Sequence, residues 1–117
     1  MRGKAIVMDG HTTCIRRTAQ RVPNLERGFT VEAWIALGAY PWNWAPIAAQ
    51  ENTVSLNSSR DKLSWPDDIA ADSLREGFFF GVGPQGHLGL HLGADGWRVC
   101  QTERSIPLRT WTHVAAS

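Results

Sequence analysis

The sequence predicts an all-β, antiparallel β-sandwich. Short runs of β-branched, aromatic and aliphatic residues recur along the chain, Gly, Pro, Asn and Asp separate them at hairpin-length intervals, and almost nothing repeats at the 3.6-residue helical period. The 117 residues, 43% apolar and 20% charged, suit a single domain over 1–117. That composition excludes disordered, collagen-like and coiled-coil chains.

Taken in order, the expected strands are 5–8, 12–16, 29–37, 47–50, 77–82, 88–92, 97–102 and 110–116. Asp9-Gly10, Pro23-Asn24, Pro84-Gln85-Gly86 and Ala94-Asp95-Gly96 supply turns, because each offers a fixed φ or tolerates a positive one. Residues 51–76 interrupt the rhythm with a polar stretch rich in Ser, Asn and Asp, long for a simple connection. Within it a short helix is expected over 67–75. Pro66 suits a first turn, Asp67 and Asp68 suit the positive end of the helix dipole, Arg75 suits the negative end, and Gly77 stops it.

Alternation assigns faces. Leu88, Leu90 and Leu92 share one parity and should be dry, leaving Gly89 and His91 on a small, polar face. Phe78, Phe80 and Val82 follow the same rule and should meet the three leucines across a hairpin turned at 84–86. In 29–37, Phe29, Val31, Ala33 and Ile35 alternate with Thr30, Glu32, Trp34 and Ala36. Apolar residues on both parities predict a central strand covered on both sides.

Charge narrows the function classes. The net charge is +1, which gives no reason to expect a nucleic-acid or anionic-membrane partner. The first 27 residues are basic, and Arg16, Arg17, Arg21 and Arg27 are spread as on a solvated edge. No run approaches the roughly 18 apolar residues of a membrane helix, and MRGKAIVMDG lacks the apolar core of a secretory signal. Cys14 and Cys100 fit no metal-binding spacing. Two independent buried thiols, or a disulfide that would require an oxidising compartment, remain the alternatives.

Several segments together resemble the laminin-G-like, or concanavalin-A-like, jelly-roll domains: GFTVEAWI at 28–35, GFFFGV at 77–82, GHLGLHL at 86–92 and IPLRTWTHVAAS at 106–117. The opening AIVMDG at 5–10 is similar to the first strand of such domains. AYPWNWAPIA at 39–48 resembles the version attached to sucrose- and fructan-cleaving glycoside hydrolases of the invertase clan. The resemblance implies a jelly roll that continues for several strands beyond residue 117, so the fold is expected to be incomplete at its C-terminus. An apolar strand at 110–116 also wants neighbours on its edge, which implies homo-oligomers through an open sheet edge. The resemblance favours an extracellular or periplasmic location.

Catalysis by this chain is not expected. β-Glucanases of the superfamily alternate carboxylates as Glu-x-Asp-x-Glu, whereas Glu32 stands between Val31 and Ala33, and a glycosidase needs a second carboxylate within roughly 5–9.5 Å. The Asn-Asp-Pro-Asn-like segment of invertase-type catalytic domains is also missing. Glu32 reads instead as a strand carboxylate beside a basic neighbour, and His113 as a hydrogen-bonding strand residue. His87 and His91 on one strand face stand about 13 Å apart at ~3.3 Å per residue, too far to share a metal. No cofactor is expected. The resemblance does raise a structural calcium, with Asp9 as its first ligand, but a turn-forming Asp before Gly10 explains the same residue.

Tyr40, Trp42 and Trp44 are the candidate ligand-binding residues. In an extended segment Trp42 and Trp44 project to the same side, and flat aromatic faces stack on the C–H faces of sugars. The competing reading packs these rings under residues 51–76 or against a neighbouring domain. Trp34, Trp97 and Trp111 are assigned to packing in the core or between sheets. The expected function is a non-catalytic carbohydrate-binding or accessory module of a larger carbohydrate-active protein. Its partner is either a glycan or the catalytic domain of a glycoside hydrolase.

Overall fold

A computed structural model describes residues 3–10, 12–21, 25, 27–53, 75–93 and 97–117. Among them six strands form two antiparallel sheets: β1 (Val31–Ile35), β2 (Ala45–Thr53), β3 (Arg75–Val82), β4 (His87–Gly93), β5 (Trp97–Ser105) and β6 (Thr112–Ala116). Strands β2-β3-β4-β5 make a four-stranded meander, and β1 pairs with β6 in a second sheet. A single 3-10 turn, Ala19–Arg21, is the helical structure among the described residues. The all-β sandwich is therefore the architecture found.

The inner faces of the two sheets enclose the core. Phe78, Phe80 and Val82 of β3 meet Val114 of β6 and Ile106, and Val31, Ala33, Ile35, Leu88, Leu90 and Leu92 pack around them. The expected hairpin is present, with Phe78 opposite Leu92, Phe80 opposite Leu90 and Val82 opposite Leu88. Pro84, Gln85 and Gly86 turn it: the Gly86 N–H donates to the Gly83 carbonyl at 2.9 Å. Gly86 takes φ 83°, a conformation that side chains other than hydrogen resist. Pro46 sits on the edge strand β2 beside a bulge, where a missing N–H breaks no ladder. On the opposite edge, β5 exposes Arg98, Glu103 and Arg104, charges that discourage edge-to-edge pairing.

Several expectations are corrected. Residues 5–8 and 12–16 form no strand, and Ile6, Val7, Met8 and Ile15 are exposed; short β-branched runs make strands only where a neighbour supplies hydrogen bonds. Asp9 Oδ1 nevertheless accepts the N–H of Thr12 at 2.8 Å and of Thr13 at 3.0 Å. Strand β1 is not covered on both sides: its residues alternate between half-buried and exposed. The doubly covered strand is β3, where Phe79 on the outer face is 1% exposed, because β3 lies between β2 and β4 under a second layer of rings. Trp34 and Trp111 are not core residues but are 56% and 47% exposed. Cys14 and Cys100 are free and exposed rather than buried. The expected helix at 67–75 lies outside the described residues, apart from Arg75, which begins β3. The 94–96 turn and the Trp97 side chain also lie outside them.

Candidate functional site

The loop from Gly38 to Trp44 joins the two sheets and carries all three candidate aromatic residues. Its start is pinned where the Arg109 N–H donates to the Leu37 carbonyl at 2.7 Å. The Tyr40 ring then packs on Gly86, so closely that a Cβ there would lie 2.3 Å from Cε1. The Tyr40 hydroxyl donates to the Ile106 carbonyl at 2.9 Å, and the Ile106 N–H donates to the Gly86 carbonyl at 2.8 Å. Tyr40 thus ties the β3–β4 turn to the segment that follows β5.

The chain bends at Trp42 and Asn43, and that bend separates the two tryptophans. Trp42 is 85% exposed. Trp44 is half-buried and lies across the outer face of the four-stranded sheet, above Gly83 and Gly89. A Cβ on Gly89 would come within 2.6 Å of the indole, so the glycine makes room for the ring. Trp44 meets His91 edge-on, centroids 4.6 Å apart at 77°, and Phe79 at 6.2 Å and 87°. Phe79 and His91 are themselves 5.1 Å apart. The face expected to be small and polar is therefore small, polar and covered: His91 is buried, and burial lowers its pKa below the ordinary value because the charged imidazolium is desolvated.

Beside Trp44 a groove of about 160 Å³ is lined by Gly83, Pro84, Gln85, His87 and Gln101. This is less than the ~300 Å³ of a pocket that encloses a small ligand; it suits contact with one edge of a larger ligand. His87 Nδ1 lies 2.9 Å from the Thr102 carbonyl. In the neutral ring that contact places the proton on Nδ1 and leaves Nε2 as an acceptor. The Thr102 hydroxyl accepts the Leu88 N–H at 3.1 Å and donates to the Arg104 carbonyl at 2.9 Å, holding the irregular stretch of β5 in place. The groove thus offers an indole, an imidazole and two amides, and the adjoining loop adds the exposed Trp42 indole. These groups stack on rings and exchange hydrogen bonds with hydroxyls.

Sequence reasoning weighed His87 only as a metal ligand and missed Gln101. Gln101 faces Gly89 across the β4–β5 ladder, a pairing that depends on register. Glu32 has the basic neighbour expected of it: its Oε2 lies 3.1 Å from His113 Nε2, on the other sheet. Among the described residues no three His, Cys, Asp or Glu side chains gather as metal ligands.

The family model for laminin-G-type domains described as the concanavalin A-like lectin/glucanases superfamily matches residues 9–117. No curated protein and no solved structure matches the chain significantly. The match runs through both sheets and the aromatic loop, and agrees with the two-sheet antiparallel architecture: the chain belongs to the concanavalin A-like lectin/glucanases superfamily.

Proposed function

We propose that this chain is a non-catalytic carbohydrate-binding module of a larger carbohydrate-active protein, holding glycan by aromatic stacking at the 40–44 loop. Trp42 carries the reading. Burying an indole removes roughly 150–250 Å² from water, yet this ring is 85% exposed in the same loop as Trp44, whose groove also holds His87 and Gln101. Trp42 supplies the stacking surface, Trp44 forms the wall of the groove, and Tyr40 positions the loop. The similarity of residues 39–48 to invertase-clan accessory domains suggests fructans among the ligands to test first.

A second reading has its own support. Tyr40 and Trp44 are engaged in packing within the chain, as in a loop shaped to dock against a glycoside hydrolase catalytic domain without touching sugar. Calorimetric titration with nystose, cellohexaose, xylohexaose and laminarihexaose separates the two. Binding of one of them by the native chain, weakened at least tenfold in Trp42→Ala with an unchanged melting temperature, supports the sugar-binding reading. Absence of binding to all four overturns it in favour of docking.

A further inference from the structure

We infer that the outer face of the β1–β6 sheet is a second glycan-binding surface, in which the adjoining Trp34 and His113 rings stand between Glu32 at one end and Trp111 at the other. The inference rests on the reading that the module binds glycan. Strand alternation sends Val31, Ala33 and Ile35 into the core and Glu32 and Trp34 outward, while Val114 points inward and His113 outward. Trp34 stands directly opposite His113, with ring centroids 5.2 Å apart, and Glu32 is opposite Ala115. Glu32 Oε2 reaches diagonally to His113 Nε2 at 3.1 Å. The imidazole is thus held between an indole and a carboxylate.

The chemistry of this face selects its ligand. Trp34 and Trp111 are 56% and 47% exposed, and their neighbours on the same face, Ala36 and Ala115, are too short to cover them. At the end of this row away from Trp111, Glu32 presents a carboxylate with about four acceptor positions, one of which meets His113. A sugar presents an apolar C–H face for stacking and hydroxyl donors around its rim, which this arrangement matches.

This surface is on a different sheet from the one that Trp44 covers. The β1–β6 patch and the Trp44 groove lie on the two outer faces, with the core between them. One chain would therefore hold two glycan strands, one on each side.

Stoichiometry in the calorimetric titration, using whichever of the four oligosaccharides binds, decides the matter. Two oligosaccharides per native chain are expected, falling to one in Trp34→Ala and to one in Trp42→Ala, with both variants melting as the native protein does. Glu32→Gln, which keeps the size and removes the charge, should weaken the Trp34 site at least threefold, and it decides the matter should Trp34→Ala fail to fold. One oligosaccharide per native chain, bound equally well by Trp34→Ala and Glu32→Gln, overturns this inference and leaves the 40–44 site standing. A native dimer in light scattering that Trp34→Ala dissociates overturns it in favour of a face that meets a second copy. No binding of any probe overturns this inference and the proposed function together.

Discussion

The Trp44 indole stands edge-on to the His91 imidazole, 4.6 Å between centroids and 77° between planes, and the contact closes the outer face of the four-stranded sheet. His91 is thereby kept from water in its neutral form, with its folded-state pKa below the ordinary 6.5. A depressed histidine pKa means that the unfolded chain binds the extra proton first as pH falls. Stability from this group is fully present above about pH 6.5 and is lost on acidification down to the lowered folded value. Melting temperatures of the native protein and of His91→Gln across pH 7.5 to 5 check this. The native curve should fall more steeply, and parallel curves would exclude His91 as the source.

Tyr40 should act through its hydroxyl. Tyr40→Phe keeps the ring on Gly86 and removes the 2.9 Å hydrogen bond to Ile106, so a loss of about 0.5–1.5 kcal/mol is expected in urea unfolding. Any glycan bound at Trp42 should keep its affinity at saturating folded protein. A large loss of affinity with unchanged stability would instead make Tyr40 a ligand contact.

On the inner face of the β3–β4 hairpin the two strands differ in depth. Phe80 is fully buried, so Phe80→Ala should cost about 3–5 kcal/mol, whereas half-buried Leu90 should cost about 2 kcal/mol or less on truncation to Ala. Denaturant midpoints measure both, and equal losses would contradict the placement of Phe80 at the centre of the core.

Arg109 takes φ 55° in the turn before β6, in the left-handed region that costs a side-chain-bearing residue roughly 1–2 kcal/mol. Its side chain is exposed, and its N–H bonds Leu37 whatever the side chain. Arg109→Gly relieves the strain but makes the unfolded chain more flexible. A net gain of up to about 1 kcal/mol is expected, visible as a raised melting temperature; a lowered one would show that the arginine side chain holds the turn.

What the sequence by itself determined is local. The period-two alternation of 78–82 and 88–92 placed six residues in or against the core and the hairpin between them, and Pro84-Gln85-Gly86 placed its turn, because pleat and turn geometry depend on residues adjacent in the chain. Glu32 beside a basic partner was also expected from the sequence, although its exposed carboxylate is accessible to water as well. The tertiary structure alone decided which strands have neighbours. Trp34 and Trp111 look like core residues in a string of letters, but β1 and β6 carry cover on one face only, and that depends on layers brought together from distant parts of the chain. The same holds for Trp42 and Trp44. Their spacing implies a common side only if the backbone is extended, and the bend at 42–43 sends Trp44 over Gly89 and leaves Trp42 in water. His87 and Gln101 join the groove through the β4–β5 register, and register is set by pairing between strands rather than by either strand alone.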